Sequence, residues 1–204
     1  MSDKMENKKS WLRKNGFTAV LLIFIALMIF SPDAKAWFLR QIASTGILNS
    51  KIESATQENG SKKEEIPPYF SVTDWSTGKQ INTADLNGKV LFINFWASWC
   101  PPCRAEFPSI QKFYEQYKTN PNLVFLTINL DENPELGKKY LAKEHFTVPF
   151  MAPSSEIPKE IFEGSLPTTV VLDKKGAIRL HHKGVADYST NSFYDQIEGL
   201  ISEK

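Results

Sequence analysis

The two cysteines of the chain lie close together in the stretch FWASWCPPCRAEFP, at residues 95–108. A disulfide between Cys100 and Cys103 would close a very small loop, so it would remove little conformational entropy from the unfolded chain. Structural stabilisation is therefore a weak reason for the pair, and thiol–disulfide exchange is a stronger one. The spacing predicts a redox-active disulfide that works without any other cofactor, since the chain carries no nicotinamide or flavin fingerprint.

The flanking residues place the first cysteine between a strand and a helix. The apolar run KVLFINFWA (89–97) is typical of a strand buried on both faces. The segment RAEFPSIQKFYEQYK (104–118) has apolar residues at helical spacing. The first N–H groups of a helix lack partners and carry partial positive charge, so they stabilise a thiolate. Cys100 is therefore the predicted nucleophile.

The rest of the motif supplies a second thiol and two rigid residues. Cys103 is one helical turn from Cys100 on the same face, so it can attack the mixed disulfide and release the product. Pro101 suits the first helical turn and stiffens it. Pro102 removes an N–H that would otherwise reach the Cys100 sulfur. A less stabilised thiolate favours the disulfide form and hence a more reducing pair.

Two other interpretations of the cysteine pair fit the sequence less well. A zinc site needs four ligands, and the chain offers only His145, His181 and His182 beside the one cysteine pair. His181 and His182 are neighbours on a predicted strand and so point to opposite faces. Two inert core cysteines are the other alternative, but a Trp-Cys-Pro-Pro-Cys run has little packing logic. No metal site is predicted.

The remaining pattern alternates short apolar runs with helical stretches. Strands are predicted at 69–72, 79–82, 89–97, 122–130 and 150–153, helices at 104–118, 133–146 and 190–204, a short helical segment at 157–164 and a hairpin over 168–184. The first two strands form an N-terminal β-hairpin. The whole predicts an α/β fold with a mixed central sheet that is flanked by helices and covered on both faces.

The N-terminal part predicts a membrane tether. Residues 1–16 are basic, 17–30 carry no charge, and aromatic and aliphatic residues continue to 48. We expect a cytoplasmic N-terminus (1–16), a membrane anchor with an interfacial helix (17–48), a flexible linker (49–66) and a folded domain (67–204).

A cleaved signal peptide is the alternative to the anchor. The uncharged run is shorter than the roughly 20 residues of a full span, and AKA at 34–36 resembles a signal-peptidase site. Both interpretations put the remaining chain outside the cytoplasm. The formal net charge of +1 gives no reason to expect a nucleic-acid partner.

The stretch NFWASWCPPCRAEFP resembles the thioredoxin superfamily, and within it the membrane-tethered TlpA/ResA branch. The resemblance covers residues 67–204 and includes Pro108, five residues after the second cysteine. It implies a thioredoxin-like fold with a cis-proline facing the dithiol. The matching stretch GSLPTTVVLD makes Pro167 that residue, and Leu166 would offer its backbone to an extended substrate strand. The expected substrate-binding residues are Trp99, Pro101, Pro102, Leu166 and Pro167.

One departure from cytoplasmic thioredoxins moves the acid–base role. Their buried aspartate is replaced here by Asn94, which cannot accept a proton. Glu106 lies three residues after Cys103, one helical turn away on the same side. The TlpA/ResA branch has a glutamate there, so we assign the proton acceptor for Cys103 to Glu106. A solvated helix glutamate is the alternative. Trp96 is either part of an aromatic wall beside the dithiol or plain core packing.

The resemblance implies a membrane-tethered, extracytoplasmic thiol–disulfide oxidoreductase. It would reduce disulfides in exported proteins, with the haem-site cysteines of apocytochrome c as one implied target, and take electrons from a membrane dithiol donor. A disulfide-forming oxidase is an alternative with the same residues. A copper chaperone would need a C-x-x-x-C spacing and a partner histidine. A non-catalytic binding module is the remaining alternative.

Overall fold

The computed structural model describes residues 18–25, 27, 31–43 and 68–203. The predicted basic N-terminus (1–16) and linker (49–66) lie outside the described residues, and the predicted anchor (17–48) is described only in part. Within the described residues, none of the helices has the length and apolar character that crossing a membrane requires.

A seven-stranded mixed sheet forms the centre of the folded domain. The strands are β1 (Ser71–Asp74), β2 (Gln80–Asn82), β3 (Val90–Trp96), β4 (Leu123–Asn129), β5 (Met151–Pro153), β6 (Thr168–Leu172) and β7 (Ile178–Lys183). Their order in the sheet is β2-β1-β5-β4-β3-β6-β7. Residues 18–25 are helical. The helices whose full bounds are described are α1 (Pro32–Ala43), α2 (Pro101–Tyr117), α3 (Pro134–Lys143) and α4 (Asn191–Ser202), with a short 3-10 turn at Thr83–Leu86.

The strand that leads into the cysteines occupies a central position. β3 pairs in parallel with β4 on one side and antiparallel with β6 on the other. All seven of its residues are buried, as its uninterrupted apolar run predicts. The predicted hairpins are present as β1–β2 and β6–β7. The α/β, thioredoxin-like fold with an N-terminal hairpin is therefore confirmed.

Most elements lie within three residues of their predicted bounds, and two differences concern the surroundings of the cysteines. The helix after the cysteines begins at Pro101 rather than at residue 104, because prolines in the first turn lose no hydrogen bond. The segment 157–164 forms a turn rather than a helix, in which the Ile161 N–H bonds the Pro158 carbonyl at 2.9 Å. Pro158 and Gly164, which has a φ of +92°, leave too few residues to overcome the cost of helix nucleation.

Two apolar clusters, one on each face of the sheet, make up the core. On the face covered by α2 and α4, Phe92 of β3 meets Phe113 of α2 at 5.2 Å and Phe193 of α4 at 6.3 Å between ring centroids. Tyr188, in the loop before α4, contacts the same ring at 5.3 Å. These edge-on ring contacts fix α2 on the sheet and so hold the end that carries the cysteines.

Helix α1 lies against α2. Asp33 forms an ion pair with Arg104, and Arg40 Nη2 donates to the Arg104 carbonyl at 3.4 Å. Ala36 is buried on the same side, whereas Trp37 and Phe38 are 56% and 41% exposed. The segment predicted as an interfacial helix is thus helical to residue 43 and rests on the domain with one side. Contact of its other side with a membrane stays a prediction.

Candidate active site

Cys100 is the N-cap of α2, and a disulfide joins it to Cys103. β3 ends at Trp96, and the backbone at Cys100 is still extended before the helix starts. The two cysteines are 3% and 0% exposed. The expected position between a strand and a helix is therefore what the structure has.

The first-turn prolines decide which N–H reaches the sulfur. Pro101 and Pro102 occupy the first helical positions and have no N–H to donate. The Cys103 N–H donates to Cys100 Sγ at 3.2 Å. Pro102 thus leaves Cys100 Sγ with one backbone donor rather than two in this turn.

A buried carboxylate holds the turn before Cys100. Asp131, 7% exposed, accepts from the Ser98 N–H at 3.1 Å and from the Ser98 hydroxyl at 3.0 Å. Asn129 Nδ2 donates to the same carboxylate at 2.8 Å. Sequence reasoning missed Asp131, although a signal existed: β3 and β4 are parallel, so the residues after both strands meet at one edge of the sheet.

Glu106 is buried one helical turn beyond Cys103. Its side chain is 1% exposed, and Oε1 accepts from Asn94 Nδ2 at 2.8 Å. Oε2 is buried without a hydrogen bond of ordinary geometry. Burial raises the pKa of the Glu106 carboxyl to about 8. Hydrogen bonds from the Asn94 amide and the Ala186 N–H lower the pKa, but their effect is smaller than that of burial. The alternative of a solvated glutamate is therefore wrong, whereas the proton-acceptor role stays a prediction.

Two residues that the sequence did not single out complete the surroundings of Glu106. Thr169 Oγ1 accepts from Asn94 Nδ2 at 2.9 Å. Tyr188 is fully buried, and burial together with the nearby Glu106 raises the pKa of Tyr188 well above its usual range. The phenol is therefore neutral wherever Glu106 titrates.

The peptide bond between Leu166 and Pro167 is cis, as the resemblance implied. Leu166 and the cysteine motif line a groove of about 420 Å³ beside the disulfide. The groove brings together four of the predicted substrate-binding residues with three that sequence reasoning missed. Its lining residues are Trp99, Cys100, Pro101, Pro102, Leu130, Phe162, Gly164 and Leu166, none of them charged. Pro167 fixes the direction of the chain at Leu166 without lining the groove itself.

The two tryptophans near the motif occupy different environments. Trp96 is fully buried, and its ring lies 4.5 Å from Phe107 between centroids. Trp99 is 63% exposed at the groove. Trp96 is therefore a core residue, and Trp99 is placed to meet a partner. Among the side chains that the structure describes, no three His, Cys, Asp or Glu residues are grouped so as to hold a metal ion.

A mixed sheet, a Cys-Pro-Pro-Cys disulfide at a helix start and a neighbouring cis-proline define a thioredoxin-like dithiol protein of the TlpA/ResA type. The chain belongs to the Redoxin family, whose model matches residues 61–197.

Named relatives agree with this assignment. The chain is 32% identical to the thioredoxin-like protein YneN of Bacillus subtilis over 129 residues, which are 63% of this chain and 75% of that protein. It is 27% identical to the thiol-disulfide oxidoreductase ResA of Oceanobacillus iheyensis over 209 residues, covering 98% of this chain and 96% of ResA.

Solved structures show the same fold. A thiol-disulfide oxidoreductase from Bacteroides fragilis is 26% identical with a TM-score of 0.53, covering 66% of this chain and 98% of that one. A thiol:disulfide interchange protein from Chlorobium tepidum, 24% identical, matches in fold with a TM-score of 0.54, over 66% of this chain and 94% of that one. With the Cys100–Cys103 disulfide, the sequence relatives assign this chain thiol–disulfide oxidoreductase activity.

Proposed function

We propose that this oxidoreductase reduces disulfides in exported proteins, outside the cytoplasm and tethered to the cytoplasmic membrane. The observation that supports the reducing direction is the single backbone N–H that Cys100 Sγ receives in the first turn of α2. Cys100 Sγ receives one N–H from this turn, so its thiolate is only modestly stabilised. A modestly stabilised thiolate favours the disulfide form and makes the dithiol a better reductant.

The proposed reaction moves two electrons from the dithiol to a target disulfide. The Cys100 thiolate attacks one target sulfur, a Cys100–target disulfide forms, and the other target sulfur leaves as a thiolate that takes a proton from water. Cys103 gives its thiol proton to Glu106 and attacks Cys100 Sγ. The Cys100–Cys103 bond forms as the bond between Cys100 and the target breaks, and the second target thiolate leaves and takes a proton from water. Glu106 then releases the Cys103 proton to water, and the target ends as a dithiol.

The proton passes between two groups of similar pKa, the Cys103 thiol and the Glu106 carboxyl. In the disulfide form the pKa of Glu106 is about 8, close to the value of about 8.5 for an ordinary thiol. A proton acceptor works best when its pKa lies near that of the group it serves and near the working pH. At pH 7 about a tenth of the Glu106 carboxyls are ionised, and this fraction, which grows as the pH approaches 8, can accept the Cys103 proton and release it again.

The uncharged groove beside the disulfide supports an extended, apolar stretch of target chain as the substrate. Trp99 and Leu166 present exposed and half-buried apolar surface next to Cys100. Within the TlpA/ResA branch, the haem-site cysteines of apocytochrome c are one target of this kind. We propose a membrane dithiol protein as the electron donor, because a tether raises the effective concentration of two proteins on one surface.

The activity is tested by reduction of insulin disulfides with dithiothreitol as the electron source. The wild-type protein should accelerate insulin precipitation, and Cys100→Ser should not. Cys103→Ala should trap targets as mixed disulfides on Cys100, which identifies them. A measured potential near −120 mV, the range of strong oxidants, would instead favour the disulfide-forming alternative.

The location is tested separately in cells. The tether is supported by the basic residues before 17 and by the exposed apolar side chains of the helical residues 18–25, such as Ile23, which is 61% exposed. We expect the full-length chain in the membrane fraction, with its folded domain digested by protease added to spheroplasts. A shortened chain in the soluble extracytoplasmic fraction would support the cleaved signal peptide, and protection from the protease would contradict both.

A further inference from the structure

Asn94 is a buried amide in the middle of the central strand. It is 0% exposed and lies in register with Thr127 of β4 and Thr169 of β6, so polar side chains cross three strands under α2. Asn94 Nδ2 donates both of its hydrogens, one to Glu106 Oε1 at 2.8 Å and one to Thr169 Oγ1 at 2.9 Å. The amide thereby connects the helix of the cysteines with the strand that follows the cis-proline.

Stability alone does not account for this amide. Asn94 Oδ1 is buried without a hydrogen-bond partner, and a buried polar atom left unpaired costs free energy. An apolar residue of similar size, such as leucine, would carry no such cost among the buried neighbours of β3. The residue is better explained by what its two N–H groups hold.

We propose that Asn94, anchored by Thr169, is the positioning residue for Glu106: it fixes Oε1 and leaves Oε2 as the oxygen that exchanges a proton with Cys103. The inference rests on the proposed function, in which Glu106 serves Cys103. Two features of the carboxyl carry it: the bond from Asn94 to Oε1, and a buried Oε2 that has no hydrogen bond of ordinary geometry, the Ala186 N–H acting on the carboxyl more weakly than Asn94. In the exchange, the S–H bond of Cys103 breaks and an O–H bond forms at Oε2. No electron leaves either residue in this step.

The other groups that face Glu106 leave this assignment intact. Tyr188, from the loop before α4, is neutral because burial and Glu106 itself raise its pKa. The Ala186 backbone N–H, from the same loop, favours the charged carboxylate. Cys103 lies one turn before Glu106 on α2. Asn94 is the strongest of the groups that stabilise the carboxylate, and a donated hydrogen bond lowers the pKa of a carboxyl.

The test compares Asn94→Leu and Thr169→Val with the matched control Thr127→Val. Thr127 is 0% exposed and occupies the opposite neighbouring position to Asn94, but its hydroxyl donates to the Pro149 carbonyl. The first readout is the titration of the Glu106 carboxyl in the oxidised protein, followed by carbon NMR of labelled glutamate, with Glu106→Gln to identify the signal. The second is the lifetime of the mixed disulfide with glutathione as a function of pH.

We expect Asn94→Leu to move the titration midpoint of Glu106 upward by a unit or more, which is about tenfold in proton affinity. Thr169→Val should raise the Glu106 midpoint by less, because the Asn94 amide keeps its bond to Glu106 but loses its bond to Thr169. The alkaline limb of the mixed-disulfide profile should move with the midpoint, and Thr127→Val should leave both unchanged.

Wild-type midpoints in Asn94→Leu and Thr169→Val would overturn the proposal. If Asn94→Leu does not fold, Thr169→Val decides alone, and a shift no larger than that of Thr127→Val overturns it. The titration needs no substrate, so it separates this inference from the proposed function. A displaced midpoint in a protein that does not reduce insulin would contradict only the latter.

Discussion

At the scale of single residues, Glu106 combines burial with a proton that it holds at neutral pH. A folded-state pKa of about 8, raised from 4.5 by burial, means that the folded protein keeps this proton where the unfolded chain has lost it. Stability falls with rising pH wherever the folded state binds more protons than the unfolded state. Glu106 therefore lowers the free energy of unfolding progressively between about pH 4.5 and pH 8.

Glu106→Gln should remove this dependence. We expect the oxidised variant to gain stability relative to wild type as the pH rises from 5 to 8, by up to a few kcal/mol, since each unit of pKa shift corresponds to about 1.4 kcal/mol. The measurement is urea unfolding of both proteins across this pH range.

Glu115→Gln is the control for the same substitution on the same helix. Its carboxyl is exposed, and hydrogen bonds from Lys118 and Thr147 lower its pKa, so no such gain is expected. A difference between wild type and Glu106→Gln that stays constant with pH would contradict the buried, protonated carboxyl.

At the scale of elements, α3 supports the active site through a glycine. A Cβ at Gly137 would lie 2.6 Å from Asn129 Nδ2 and 2.9 Å from the Phe150 ring. Asn129 has little freedom to move, because it bonds Asp131, the residue that holds the turn before Cys100. The close approach of α3 to this asparagine therefore requires glycine.

Gly137→Ala should destabilise the protein by about 1–3 kcal/mol through overpacking, although alanine is the better helix former by about 1 kcal/mol. Insulin reduction should slow as well, because the Ser98 turn loses its support. Urea unfolding and the insulin assay measure the two effects.

Gly199→Ala is the matched control, since Gly199 lies within α4 and a Cβ added there would meet nothing within 4 Å. It should be neutral or stabilising by up to about 1 kcal/mol. Equal effects of the two substitutions would show that α3 and Asn129 are not tightly packed.

The elements next to the cysteines were the most predictable from sequence. The apolar run of β3 and the helical spacing of α2 placed Cys100 at their junction, and the buried Glu106 followed from its spacing to Cys103 together with the resemblance. Asp131, Thr169 and Tyr188 were not predictable in the same way. Each comes from a distant part of the chain and reaches the site only through the pairing of β3 with β4 and β6 and the return of the last loop over α2.

At the scale of the whole molecule, helix α1 packs beside the active site. Asp33 of α1 pairs with Arg104, the residue that follows Cys103, and lies 3.8 Å from Lys143 of α3. The Arg104 guanidinium stands over the Tyr140 ring at 4.8 Å. A tether leaving through α1 would therefore leave the domain near its cysteines.

Asp33→Asn should loosen α1 without unfolding the domain. Amide hydrogen exchange over 32–43 should accelerate, while the global free energy of unfolding changes little, because Asp33 itself is 59% exposed although its partner Arg104 is only 11% exposed. Exchange measured by mass spectrometry follows the helix directly.

Glu135→Gln removes a similarly exposed carboxylate, 57% against 59% for Asp33, from an ion pair within α3. It should leave exchange in α1 unchanged. Wild-type exchange of α1 in Asp33→Asn would mean that apolar contacts alone hold the helix.

The antiparallel pairing of β3 with β6 determines when, during synthesis and folding of the chain, the cysteine pair becomes shielded from solvent. Asn94 bonds Thr169 across a separation of 75 residues. Strand β3 therefore lacks its neighbour β6 until most of the folded domain has been synthesised. During that interval an apolar strand and two thiols are open to solvent and to other chains. While the chain is being synthesised, its two cysteines can therefore form disulfides with other chains, which is the reaction that the folded protein later carries out on its targets.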